Sequence, residues 1–281
     1  MKDLALLART LMNGNILGLH PGNSPGPGME FSNYRTYQAG DDLRSLDWKM
    51  FARSDRYFIR ESEIETHIPI RFLIDSSASM NHMDSGLVKF NYAKMLTACL
   101  AYITFRQGEN YSLNLISDEI KYLGPGNGSG YFDRFCHYLE SESASGTFPF
   151  RLPLEEMVLP KRKTLIVFLS DFYPEGKDQI RLLESLRNLG HEVLVFHLMG
   201  RNEFDLNFPK FSELEDLETG ERVTLSGNDL IQSYRKNINA HMDLIKKSVR
   251  DMNMAYQVFF MDEPIEALKW FLINRLKGRL A

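Results

Sequence analysis

The fold is decided by the stretch Ile70-Arg71-Phe72-Leu73-Ile74-Asp75-Ser76-Ser77-Ala78-Ser79-Met80. Its apolar run, Ile70, Phe72, Leu73 and Ile74, has the length and branching of a buried strand and stops on an aspartate followed by small hydroxyl residues. Asp75, Ser77 and Ser79 are therefore expected on the loop leaving the carboxyl end of that strand, where open α/β sheets bind ligands. A carboxylate beside two hydroxyls offers only hard oxygen atoms, which suit Mg²⁺, Mn²⁺ or Ca²⁺ rather than zinc. The same side chains make good helix caps, so the stretch by itself leaves a cation loop and a plain cap both open.

A second strand ends the same way. In KRKTLIVFLSDF, starting at Lys161, the apolar run Leu165 to Leu169 closes on Ser170 and Asp171. Two strands with acidic carboxyl ends, separated by a full set of crossover elements, can lie side by side at the switch point of a doubly wound sheet and face one cation. The intervening sequence supplies those elements. A helical pattern runs from Leu87 to Phe105 and stops at Gly108, two short strands follow at 111–117 and 119–123, and a further helix spans 131–140. GPGNGSG from Gly124 lacks a P-loop lysine and reads as a flexible connector. Beyond Asp171 come a helix at 179–188, a strand at 191–198, a hairpin near 211–225 turning at Thr219 and Gly220, and a long helix capped by Ser226. A strand at 256–261 and a helix at 263–276 close the chain. From Ile68 onward this alternation predicts a three-layer α/β domain with a mostly parallel central sheet. Residues 67–281 are assigned to it, and residues 1–66 to an N-terminal extension.

Composition narrows the function. The 281 residues are 43% hydrophobic, enough for a sizeable core, and a net charge of -4 argues against a nucleic-acid-binding surface. The longest apolar run falls far short of the roughly 20 residues that cross a bilayer. The N-terminal MKDLALLARTLMNGN carries Asp3 and Arg9 within its apolar pattern and reads as an amphipathic helix, so a cytoplasmic location is expected. Cys99 and Cys136 are distant in sequence and read as ordinary buried thiols. A literal G-x-S-x-G match at Gly22 to Gly26 fails as a nucleophile elbow, because Pro25 has no N–H to serve an oxyanion. His20 has no second histidine at metal-ligand spacing and reads as a loop hydrogen-bonder.

Glu30, Phe31, Arg35 and Tyr37, then Gly40, Asp41, Asp42, Arg44, Asp47, Trp48 and Lys49, then Ala52, Arg53, Arg60 and Glu61 run on into the Asp75 stretch. In these positions the chain resembles the domain of unknown function 58 family of bacterial proteins, densely from Met29 to Met80 and more diffusely to Phe196. Members of that family are similar to von Willebrand factor type A domains and often accompany MoxR-type AAA+ ATPases. The resemblance implies a von Willebrand factor type A-like fold and a metal-ion-dependent adhesion site of D-x-S-x-S spacing. Asp75, Ser77 and Ser79 would share the cation with Asp171 and with Thr147 from a later loop, and an open coordination position would take a partner's carboxylate. It thus implies a non-enzymatic, metal-dependent interaction module, with Mg²⁺, Mn²⁺ or Ca²⁺ as cofactor and a MoxR-type AAA+ ATPase as partner. The alternative is a metal-dependent hydrolase or phosphatase in the same acidic cleft. A phosphatase working through an aspartyl intermediate usually has a second acid two residues on, where this chain has Ser77, and the sequence offers no convincing general base beside Asp75.

Within GDDLRSLDWKMFAR, Asp41, Asp42 and Asp47 can accept hydrogen bonds from Arg44, Lys49 and Arg53, which favours a structural charge network over a partner contact. Removing one cation from such a network strands its acids. Arg44→Ala is therefore expected to destabilise the protein by about 2 to 4 kcal/mol, read by urea denaturation. An unchanged midpoint would favour the partner-contact reading.

Overall fold

Among the described residues six strands form the central sheet, and each overlaps a strand read from the sequence. The structure is a computed structural model and describes residues 3–15, 33–38, 46–54, 56–61, 68–150, 163–205, 213–224 and 228–279. These residues divide into two compact units, Met1–Asn15 with Ile68–Ala281, and Ile16–His67.

In chain order the described elements begin with α1 (Leu4–Asn15), β1 (Asn33–Thr36), α2 (Trp48–Ser54), β2 (Phe58–Glu61) and β3 (Ile70–Asp75). After a 3-10 turn at Ala78–Asn81 come β4 (Met83–Asp84), β5 (Leu87–Val88), α3 (Lys89–Arg106), β6 (Tyr111–Ile116), β7 (Ile120–Gly126) and α4 (Ser129–Ser141). The chain continues through β8 (Leu165–Ser170), α5 (Lys177–Asn188), β9 (Glu192–Met199) and α6 (Arg201–Asp205). Last are β10 (Glu213–Glu215), β11 (Arg222–Thr224), α7 (Asn228–Asp251), β12 (Ala255–Phe260) and α8 (Pro264–Arg279).

The main sheet has the order β12-β9-β8-β3-β6-β7, and every pairing is parallel except the β6–β7 hairpin. The expected α/β class with a mostly parallel sheet is borne out. From β3 the chain moves first to β6 on one side and later returns to β8 on the other, so the topological switch point falls between β3 and β8. All residues of β3, β6 and β8 are buried, as a sheet covered on both faces requires.

Alternation along β3 sends Leu73 to one face and Phe72 to the other. On the first face Leu73 joins Ile166, Phe168, Leu182 and Leu186, with Ile245 and Val249, in one apolar cluster that fastens α5 and α7 to the sheet. On the second face α1, α3, α4 and α8 gather, and Phe72 meets Phe135 of α4 with ring centroids 6.0 Å apart. Each buried aliphatic or aromatic side chain contributes about 1.5 to 3 kcal/mol, so this packing is the main support of the loops at the strand ends. Helix α1 packs on α3 and α4 and so belongs with the α/β unit, not with the segment that follows it.

The GPGNGSG segment is not a connector. Gly124 to Gly126 complete β7, and α4 starts at Ser129. Gly126 is there because Tyr131 lies on it: a Cβ at that position would meet the ring at 2.3 Å, and the Tyr131 hydroxyl lies 2.5 Å from the carbonyl oxygen of Gly124 and 3.0 Å from that of Tyr111.

In the smaller unit, β1 and β2 pair antiparallel and Phe51 stacks on Tyr57 at 4.5 Å. Asp47 caps α2, its Oδ1 accepting from the backbone N–H groups of Lys49 (2.9 Å) and Met50 (3.1 Å). Asp41, Asp42 and Arg44 of the expected network, His20, the G-x-S-x-G match and Ser226 lie outside the described residues.

Both thiols are buried, and burial pushes Cys99 and Cys136 up to about 12, which makes them inert. On the α8 side, Arg275 pairs with Glu109 just before β6, both side chains being nearly inaccessible. Breaking a buried pair leaves a charge uncompensated, so Glu109→Ala is expected to cost about 3 kcal/mol, measured as a shift in the urea midpoint at constant slope.

Candidate functional site

Strand β3 ends on Asp75, which has no exposed surface, and the parallel register that sets Ile74 beside Leu169 brings it next to Ser170 and Asp171 at the end of β8. Asp75 Oδ1 accepts from the Ser77 hydroxyl (2.6 Å) and the Ser77 backbone N–H (3.0 Å), while Oδ2 accepts from the Ser170 hydroxyl (2.7 Å). Ser77 stands at the head of the 3-10 turn but makes no capping bond with its side chain. The plain-cap reading is thereby set aside for this serine. Its hydroxyl lies 3.0 Å from that of Ser79, which in turn donates to Asp171 Oδ1 at 3.2 Å. Four of the expected residues, Asp75, Ser77, Ser79 and Asp171, therefore form one connected group of oxygens.

Thr147 is placed differently. Its loop touches the group through the backbone, since Gly146 O accepts from Ala78 N at 2.8 Å and Ser76 O from Ser145 N at 2.8 Å. Its exposed side chain, however, donates to Asp118 Oδ1 at 2.9 Å.

Three further residues belong to the site. Ser170 is the first; its hydroxyl also accepts from Phe172 N at 2.9 Å. Lys89, the first residue of α3, is 1% exposed and places Nζ 3.0 Å from Asp171 Oδ2 and 2.7 Å from Glu203 Oε1. Burial by itself lowers a lysine pKa, but the charges of Asp171 and Glu203 outweigh it, and the ammonium is held well above its ordinary range. The position carried a signal in the sequence, because a cation in the first turn of a helix opposes the macrodipole unless acids stand close by. Glu218 is the third, on the β10–β11 turn, where its carboxyl feels the charges of Asp75 and Asp171. Glu218 Oε1 is buried without a hydrogen-bond partner. The alternation of the hairpin gave no hint of this placement.

The electrostatics follow from the crowding. Burial and then the charge of Asp171 raise Asp75 to about 6, against the hydrogen bonds from Ser77 and Ser170. Burial and then the charges of Asp75 and Asp171 raise Glu218 to about 7. Glu218 also lines a cleft of about 280 Å³ with Phe148, Phe150 and Tyr173. Among the described residues, no group of three or more His, Cys, Asp or Glu is gathered closely enough to hold a metal ion. The oxygens that converge here come from carboxylates and hydroxyls together, a composition suited to a hard cation.

A family model described as "Protein of unknown function DUF58" matches residues 33–244. Among curated proteins, "Uncharacterized protein Rv1480" of Mycobacterium tuberculosis is 23% identical over 290 residues, covering 100% of this chain and 90% of the relative. Among solved structures, the conserved hypothetical protein BatB from Bacteroides thetaiotaomicron aligns with a TM-score of 0.44 at 12% identity, over 72% of this chain and 99% of that one. An aerotolerance-related membrane protein from Bacteroides fragilis aligns with a TM-score of 0.46 at 14% identity, over 68% and 91%.

The raised Asp75 pKa has a definite sign in stability. With no divalent ion present, Asp75 keeps its proton in the folded chain up to about 6, whereas in the unfolded chain it ionises near 3.8. Its contribution is complete below about pH 4 and is lost as pH rises through 6. Denaturation in chelator is thus expected to show wild type losing about 3 kcal/mol relative to Asp75→Asn between pH 4 and pH 7. A difference independent of pH would contradict the assigned repulsion.

Proposed function

We propose, for a chain that belongs to the DUF58 family, that the group of oxygens at the carboxyl ends of β3 and β8 is a metal-dependent docking site for an acidic side chain of a protein partner. In this reading Asp75, Ser77, Ser79 and Asp171 hold a divalent cation, Mg²⁺ first and Mn²⁺ or Ca²⁺ as substitutes, and Thr147 contributes from its adjoining loop. The domain then acts as the von Willebrand factor type A-like resemblance implies. The supporting observation is the excess of acid: burial and the charge of Asp171 raise Asp75, the charges of both bear on Glu218, and the buried ammonium of Lys89 pairs with Asp171 and Glu203. Such crowding is relieved by a cation far better than by protonation at neutral pH. The donor atoms are all hard oxygens, as Mg²⁺ prefers. A bound cation would supply an electrophilic position, and one held partly by neutral hydroxyls keeps much of its charge for an incoming carboxylate.

A MoxR-type AAA+ ATPase is the proposed partner, and the cytoplasm the proposed location. No described helix is long and apolar enough to cross a membrane. A hydrolase or phosphatase would need a base at this site. His197, which feels the charge of Asp171, is lowered by burial to about 3 and joins Nδ1 to the Tyr256 hydroxyl at 2.7 Å, so it is a poor base at neutral pH.

Calorimetry with Mg²⁺ and Mn²⁺ is expected to show binding that Asp75→Asn abolishes and that Ser77→Ala or Ser79→Ala weakens about tenfold, with circular dichroism unchanged. Capture of a purified MoxR-type ATPase should fail for the same Asp75 variant. The variant, not a chelator, decides the point, because an ATPase needs Mg²⁺ of its own. Metal-dependent turnover of phosphoester or peptide substrates that vanished with Asp75→Asn would favour the hydrolase instead.

A further inference from the structure

We infer that the ammonium of Lys89 competes with a divalent cation for Asp171 and that Glu203 is the seat to which it yields, so that Lys89 sets the threshold at which the site loads. This rests on the docking reading above.

Lys89 stands where a lysine is least expected. It is the first residue of α3, where the helix macrodipole opposes a cation. Its side chain is almost inaccessible, so the ammonium has given up its water, and such burial is tolerated only where acids replace that water. Two acids do so, and they differ in kind. Asp171, 3.0 Å away, belongs to the group of oxygens at the ends of β3 and β8, whereas Glu203, 2.7 Å away, stands on α6.

Both oxygens of Asp171 are engaged. Oδ1 accepts from the Ser79 hydroxyl (3.2 Å) and the Tyr173 backbone N–H (3.3 Å), and Oδ2 accepts from Lys89. A divalent cation on the same carboxylate would face the ammonium at close range, where burial leaves the repulsion poorly screened. Lys89 must therefore give up Asp171 for the site to load. Glu203 is placed to keep it. Oε2 of Glu203 accepts from Gly200 N at 2.6 Å, which leaves Oε1 to the ammonium. Helix α6 is itself fixed by Asp84, whose Oδ2 accepts from Arg201 N at 2.6 Å. The flexible four-carbon stem of lysine lets its charge shift toward Glu203 while α3 stays in place.

The test uses the full chain with Mn²⁺ alone as probe, read by calorimetry. Lys89→Gln combined with Glu203→Gln removes the pair at unchanged net charge and is expected to bind Mn²⁺ about tenfold more tightly than wild type. A pair that only supported the loops would act in the opposite direction, because its loss would loosen the site. Glu203→Gln alone should bind about tenfold more weakly, since the displaced ammonium then has no seat. The same change made in a Lys89→Gln background should lose most of its effect. In wild type, the Lys89 ammonium signal read by nitrogen NMR should move on saturation with Mg²⁺. Equal or weaker Mn²⁺ binding by the double variant, or an ammonium signal that stays in place while Mg²⁺ binds, would overturn the inference and leave the docking site intact. An undiminished effect of Glu203→Gln without the lysine would also overturn it, because Glu203 would then act on the ion directly. Mn²⁺ uptake by neither wild type nor the double variant would remove the docking reading, and this inference with it.

Discussion

Asp75 and Asp171 lie buried at the ends of neighbouring parallel strands, and the cost of burying their charges side by side is the constraint to which the surrounding structure answers. Two buried carboxylates are tolerable only if their oxygens are hydrogen-bonded and part of their charge is neutralised. The chain meets the first condition with hydroxyls and backbone N–H groups: Ser77 and Ser170 on Asp75, Ser79 and the backbone of Tyr173 on Asp171. It meets part of the second with Lys89, whose burial at the head of α3 is sustained by Asp171 and Glu203.

The elements around the pocket can be understood as holders of these few groups. The Met83–Asp84 and Leu87–Val88 hairpin bends the chain from the Asp75 loop into α3, with Ser85 and Gly86 at positive φ in its turn. Asp84 Oδ2 then accepts from the N–H groups of Arg201 (2.6 Å) and Asn202 (3.3 Å), fixing the start of α6, which carries Glu203. Glu203 returns the favour to the backbone, its Oε2 accepting from Gly200 N at 2.6 Å. The lysine is thus steered by contacts that join segments far apart in sequence, Asp84 with the start of α6 and Lys89 with Asp171 and Glu203. Gly146 is part of the same frame: a Cβ there would meet Asp118 Oδ2 at 2.1 Å, and its φ is 73°. That glycine allows the Thr147 loop to lie against both the Asp75 loop and the β6–β7 turn.

A site built this way has two tiers of rigidity. Asp75, Ser77, Ser79, Ser170 and Asp171 stand on strands and loops pinned by the core on both faces of the sheet, the arrangement that best preserves geometry. Glu218 stands on a hairpin outside that sheet, held through Tyr173.

The sequence by itself determined the α/β class, since runs such as Leu165 to Leu169 and the helical spacing after Leu87 are local patterns that burial on two faces enforces. It also located Asp75, Ser77, Ser79 and Asp171, because an apolar strand that stops on an acid and hydroxyls is readable wherever it occurs. What it could not reveal depends on through-space neighbours. Thr147 and Asp118 lie 29 residues apart and meet only because the β6–β7 turn and the loop after α4 share one end of the sheet. The stretch from Gly124 reads locally as a connector, and only the tertiary structure lays the ring of Tyr131 against Gly126. Lys89 was counted into an amphipathic helix, and its burial is decided by two acids 82 and 114 residues away. Glu218 was one polar residue in a turn. Only the tertiary structure, in which Tyr173 just beyond β8 donates to Asp216 of that turn, brings its carboxyl under the charges of Asp75 and Asp171, because the energy of a buried charge depends on distance in space and not on distance along the chain.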